Sequence, residues 1–273
     1  MDPATLIGLL LAFGAMFTML FMEGASVSSI LLPAPMIIVF GGTIAVGIAS
    51  GTISDSITAI KALPRAFRGK LTPVRGTIDK LVELAEIARS KGLLALESEA
   101  REAQDPFLAR ALQALADGTD GEEMRETLED EITTRENSDA IAHKWFSTLG
   151  GYAPTVGIIG TVVSLTHVLE NLSKPDQLGH MIAAAFVATL WGLVSANFIW
   201  LPIGSRLRRL SELEVDSMTL IMEGVLAIQS GSQPILLAER LKAMVPPHLL
   251  GKERAADSGS ESTISLDEFK EAA

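Results

Sequence analysis

Two apolar stretches carry oxygens and backbone breaks where lipid favours plain hydrocarbon. Residues 150–165 read GGYAPTVGIIGTVVSL and hold Pro154, Thr155 and Thr161. Residues 188–203 read ATLWGLVSANFIWLPI and hold Thr189 and Pro202. A proline has no N–H to offer the carbonyl four residues back, so in continuous helices Gly150 and Phe198 lose that partner. Such groups are tolerated at membrane depth only against protein or a water-filled cavity. Each threonine taken alone can bond a carbonyl of its own helix, and Gly157 and Gly160 can simply let helices approach. Freed carbonyls, hydroxyls and glycines together in two segments point instead to a polar path for a small ion.

The path lacks a charge of its own. The apolar cores contain no Asp, Glu, Lys or Arg; Glu23 and His167 stand near segment ends. An ion-coupled transporter acting alone normally needs a buried titratable or coordinating group. This chain therefore implies a second chain that supplies one. No zinc motif, paired intramembrane carboxylates or serine–histidine arrangement suggests an enzyme, and His167 stands alone. No catalytic residue, cofactor or firm metal site is expected, nor a nucleic-acid partner.

The elements that must position these residues are legible in the hydropathy pattern. The chain has 273 residues, a net charge of −11 and a mean hydropathy of +0.34, so apolar and charged residues are segregated. There is no cysteine and hence no disulfide. Four stretches approach the roughly 20 apolar residues that span a bilayer: about 4–22, 34–53, 146–169 and 181–205. The expected class is an all-α membrane protein, with four transmembrane helices in two hairpins and a large helical cytoplasmic region. The expected organisation is a hairpin over 1–53, a cytoplasmic region over 54–145, a second hairpin over 146–205, cytoplasmic helices over 206–250 and a disordered tail over 251–273. Lys61, Arg65, Arg68, Lys70 and Arg75 follow the second segment, and Arg206, Arg208 and Arg209 follow the fourth. By the positive-inside rule both long polar regions and both termini face the cytoplasm.

The cytoplasmic region reads as helical. Ile78, Leu81, Val82, Ala85 and Ala88 recur at helical spacing. A second helix covers about 106–116. A third starts near Gly121 and runs toward the third span; its acidic run fits a solvated face or a docking surface. Further helix over 207–241 breaks around Gly231 and Pro234. Gly47-xxx-Gly51 is a candidate packing face.

These stretches resemble the MotA/PomA family of flagellar motor stator proteins. The likeness rests on 151–161 (GYAPTVGIIGT), 188–197 (ATLWGLVSAN) with 201–203 (LPI), 91–97 (KGLLALE), 223–231 (EGVLAIQSG) and 243–247 (AMVPP). It covers the chain in order up to about Pro247. The resemblance implies a ring, taken as a pentamer, around two copies of a single-span MotB/PomB-type partner. That partner brings the ion-carrying aspartate. Ion flow turns the ring, which pushes on the rotor protein FliG in the bacterial inner membrane. Pro154 and Pro202 match the prolines that couple ion passage to movement. Arg89 and Glu97 match the charged pair at the rotor interface, with Lys91 beside them. Arg89, Leu93 and Glu97 share a side on a continuous helix, and Gly92 can interrupt it. Thr161 and Thr189 match threonines lining the path in sodium-driven members. Hard cations prefer oxygen ligands, so these two suit Na+, although H+ can also pass along hydroxyls. The alternatives are a TolQ/ExbB-type transducer, which has three spans, and a solute permease.

Overall fold

The computed structural model describes residues 4–69, 74–173 and 175–250. Lys70, Lys174 and the expected tail at 251–273 lie outside the described residues. Every regular element among the described residues is helical. The chain divides into two compact units, 1–71 with 126–218 and 72–125 with 219–273.

The first unit holds the apolar segments. Helix α1 (Ala4–Met22) is apolar all round, which suits a helix that meets lipid rather than a polar face of water. The second segment is not one regular helix. It consists of α2 (Pro33–Met36), a π-helical turn (Ile37–Gly41) and α3 (Gly42–Ala49). The apolar run reads to Ile53, but the helix stops at Ala49. Ser50 bonds back to the Val46 carbonyl, and Thr52 and Asp55 form a reciprocal capping box that starts α4 (Ile53–Arg68). The bonds from Thr52 hold the Asp55 carboxyl below the usual carboxylate range. Ile53 thus belongs to the next helix.

Two long helices complete this unit. Helix α8 (Gly121–Glu170) runs without interruption from the acidic stretch into the third apolar segment. The fourth apolar segment is α9 (Pro175–Val194), a π-helical turn (Ser195–Trp200) and the start of α10 (Leu201–Gln229). Among the described residues, three stretches are long and apolar enough to cross a membrane: Thr5–Met22, a window within Gly121–Glu170 and one within Gln177–Gln229. Pro33–Ala49 is a shorter apolar helix. The Trp191 indole donates to the Ile30 carbonyl at 2.6 Å, tying the connection after α1 to α9. Helix α4 is fastened by charge. Arg65 bonds Asp139 at 2.7 Å and also Glu214, while Arg135 reaches Glu214 at 2.8 Å and Asp139 at 3.5 Å. Two guanidinium forks and two carboxylates thereby close a ring across α4, α8 and α10.

The second unit packs α5 (Val74–Lys91), α6 (Leu96–Glu102), α7 (Pro106–Ala116), the start of α8, the end of α10 and α11 (Pro234–Ala243). Ile78, Leu81, Leu84 and Ala85 of α5 are buried; Val82 and Ala88 are only half-buried. Asp105 caps α7 through the Phe107 and Leu108 amides. Glu223 of α10 holds Arg125 at 2.9 Å and Arg240 of α11 at 2.6 Å. Gly231, at φ 75°, makes the left-handed turn that ends α10.

Glycines set the closest contacts of the first unit. Gly47 faces Leu149 and Trp145, whereas Gly51 meets only its neighbour Asp55, so only half of the Gly47-xxx-Gly51 pair packs. On Gly192 a Cβ would lie 2.9 Å from the Ala153 carbonyl oxygen and 3.0 Å from Gly157 Cα. Both are backbone atoms and cannot swing aside. Gly192→Ala should therefore destabilise the protein by about 1–3 kcal/mol, read as a lower melting temperature of the purified membrane complex. An unchanged melting temperature would mean that α8 and α9 do not meet there.

Candidate functional site

Pro154, Gly157 and Thr161 follow one another at three and four residues, so they share a face of α8. Gly157 brings that face against the backbone of Ala188, Thr189 and Gly192. The close approach lets Thr161 reach across. Its Oγ1 lies 3.1 Å from the Gly157 carbonyl, 3.0 Å from the Ala185 carbonyl and in hydrogen-bond contact with Thr189 Oγ1. Each hydroxyl has one proton to donate. Four oxygens, two of them carbonyls, thus share two protons between α8 and α9. Such a cluster can hand a proton along by rotating hydroxyls, or offer lone pairs to a hard cation.

Thr155 does not join this cluster. It is exposed, about 100° around α8 from Pro154, and donates to its own Tyr152 carbonyl at 2.8 Å. It takes the local bond that a threonine in a helix can always take. Pro154 is half-buried inside α8. Pro202 is the second residue of α10, directly after the π-turn. The Leu201 amide bonds the Ala196 carbonyl, five residues back. The turn widens where Pro202 can give the Phe198 carbonyl nothing. Pro202 also lines a cavity of about 420 Å³ with Thr5, Gly8, Asn197, Phe198 and Arg206, for which the sequence gives no signal.

The charged residues lie in the second unit. Arg89 and Lys91 are exposed in the last turn of α5, where positive charge suits the helix end. Gly92, at φ 84°, then stops the helix. After a 3-10 turn (Leu93–Ala95), Glu97 stands second in α6. Arg89 and Glu97 are therefore on different helices, and the continuous-helix spacing does not apply. Glu97 is paired with Arg101 one turn on, a partner that the i, i+4 spacing alone makes legible. Lys80 of α5 ties α6 through Glu99 at 3.0 Å. Within the ring of Arg65, Arg135, Asp139 and Glu214 only Arg135 and Asp139 are near in sequence, and the joining of α4, α8 and α10 leaves no sequence signal. Beyond the fourth apolar segment, the bond from Arg208 chiefly holds the Glu212 carboxyl below its usual range. Among the described residues no group of three or more His, Cys, Asp or Glu could hold a metal ion.

The comparisons with known proteins agree with this layout. The family model for the motility protein A N-terminal segment matches residues 6–92, and that for the MotA/TolQ/ExbB proton channel family matches residues 99–219. Motility protein A of Bacillus subtilis (strain 168) is 35% identical over 251 residues, covering 90% of this chain and 92% of that protein. The chain belongs to the MotA/PomA family of flagellar motor stator proteins. The chemotaxis protein PomA of Vibrio alginolyticus is 34% identical, with 89% and 94% covered. Among solved structures, that of C. jejuni MotAB superposes with a TM-score of 0.87 at 28% identity, covering 90% of this chain and 97% of that one. The flagellar MotAB stator complex from Bacillus subtilis gives 0.84 at 32% identity, with the same coverage. The protein is a stator subunit of an ion-channel family, and the match at 6–92 favours the stator over the TolQ/ExbB-type alternative.

Proposed function

We propose that this chain forms, with a MotB/PomB-type single-span partner, a cation channel whose ion flow turns a ring and so drives the flagellar rotor. Four crossings put both termini in the cytoplasm, with Pro33–Ala49 as the shortest span. The ring is a homopentamer around two partner copies in the bacterial inner membrane, and it carries out no covalent chemistry. Supporting this reading is the oxygen cluster of Thr161, Thr189 and the Gly157 and Ala185 carbonyls, in apolar segments without a carboxylate or ammonium of their own. The partner's carboxylate completes the path. Pro154 and Pro202 make the lining helices able to bend as the ion passes, and Thr155 lies at the edge of that path. Arg89, Lys91 and Glu97 engage the rotor protein FliG. Glu97 must loosen its bond to Arg101 to do so, which costs little because both side chains are substantially exposed.

Two experiments test the reading. Pro154→Ala should abolish torque in tethered cells while the ring still assembles with its partner; normal rotation would remove Pro154 from the coupling. Of the two ions, Na+ suits four oxygens with two protons better than H+ does. Motor speed at fixed pH should then rise with external sodium and fall at least tenfold in Thr161→Val. A speed that follows the proton-motive force and ignores sodium would assign the cluster to proton transfer.

A further inference from the structure

Among the described residues, the buried side-chain atoms without a hydrogen-bond partner include the Thr43 hydroxyl and the indole N–H groups of Trp145 and Trp200. These three come from separate helical stretches, and the two tryptophans share one core. Trp145 belongs to a hydrophobic cluster against which Trp200 packs. Phe146 contacts both, edge-on to Trp145 at 5.1 Å and stacked on Trp200 at 6.5 Å. Phe40, Thr43 and Gly47 are spaced by three and four residues, so they form one face of the second segment. Phe40 touches the Trp200 ring at 6.4 Å between centroids. A Cβ on Gly47 would lie 3.4 Å from Trp145 Cε2, the carbon bonded to the indole nitrogen. Thr43 therefore sits between the residue that meets Trp200 and the residue that meets Trp145, and it is 0% exposed.

The chemistry of the three groups names their ligand. Each indole only donates, and a hydroxyl donates once and accepts twice. Donors left unmet in an apolar core are costly. The set calls for a small acceptor of two N–H bonds that can also bond a hydroxyl. An anion would accept both, but the cluster around it is hydrophobic, and an uncompensated buried charge costs far more than a neutral guest. Water fits, since buried waters make about three bonds to such groups.

We propose that α3, α8 and the π-turn before Pro202 hold a buried water site built by Thr43 Oγ1, Trp145 Nε1 and Trp200 Nε1. Trp200 stands two residues before Pro202, so the water gives the widened turn a bond to its neighbours that can change partner as the turn shifts. The site does not depend on which ion is carried.

A high-resolution cryo-electron microscopy map of the stator complex in lipid nanodiscs tests it. The expected result is a density peak about 2.7–3.2 Å from at least two of the three atoms. A map that shows other internal waters but none here, or Thr43 bonded directly to an indole, overturns the proposal. Thr43→Val, close to Thr in shape, supplies the second test. Loss of a bridged hydroxyl should lower the melting temperature, with Thr43→Ser staying near wild type. A Val variant that melts at or above wild type would show a dry, unbonded hydroxyl and overturn the site. If the Val variant does not assemble, the wild-type map decides alone.

Discussion

Where Gly157 meets Gly192, two helices touch backbone to backbone, and much of the first unit depends on that contact. Lipid gives apolar helices no reason to associate, so close packing and cross-helix bonds must do it. A side chain at either glycine would part α8 from α9. The same approach brings Thr161 within reach of the Ala185 carbonyl and Thr189. One packing contact therefore holds the helices together and concentrates oxygens between them. Neither effect needs a charge, and the apolar segments contain none.

The two prolines disturb their helices differently. Before Pro202 the backbone re-registers into a π-turn, with the Leu201 amide moved to a carbonyl five residues back. Around Pro154 the chain stays α-helical within α8. The second segment has a π-turn as well, at Ile37–Gly41, and that stretch contains no proline. Phe40 of this turn touches both Trp191 and Trp200. The two irregular turns thus meet through aromatic rings, which can slide against each other more easily than interlocked aliphatic side chains.

Element types were largely legible in the sequence; pairings were not. Continuous apolarity marked the spans, and Pro106 with its Asp105 cap marked α7 at its observed bounds. The end of the second span at Ala49 was marked too, by Thr52-x-x-Asp55, but hydropathy alone carried the reading on to Ile53. Gly92 signalled the break that separates Arg89 from Glu97. Thr161 and Thr155 look alike in sequence, and only the face set by Pro154 and Gly157 separates the cluster member from the one bonded to its own helix. The ring of Arg65, Arg135, Asp139 and Glu214 and the core around Thr43 depend on register between distant helices, which composition does not encode. The π-turn at Ile37–Gly41 carries no residue that marks it.

The proposed channel divides the labour: this chain supplies bendable helices and oxygens, and a second chain supplies the charge that carries the ion. Ion flux in proteoliposomes tests it most directly, comparing this chain alone, the chain with its single-span partner, and the chain with a partner whose intramembrane carboxylate is replaced by the amide. Flux is expected only with the intact partner. Comparable flux through this chain alone, or with the amide partner, would contradict the account.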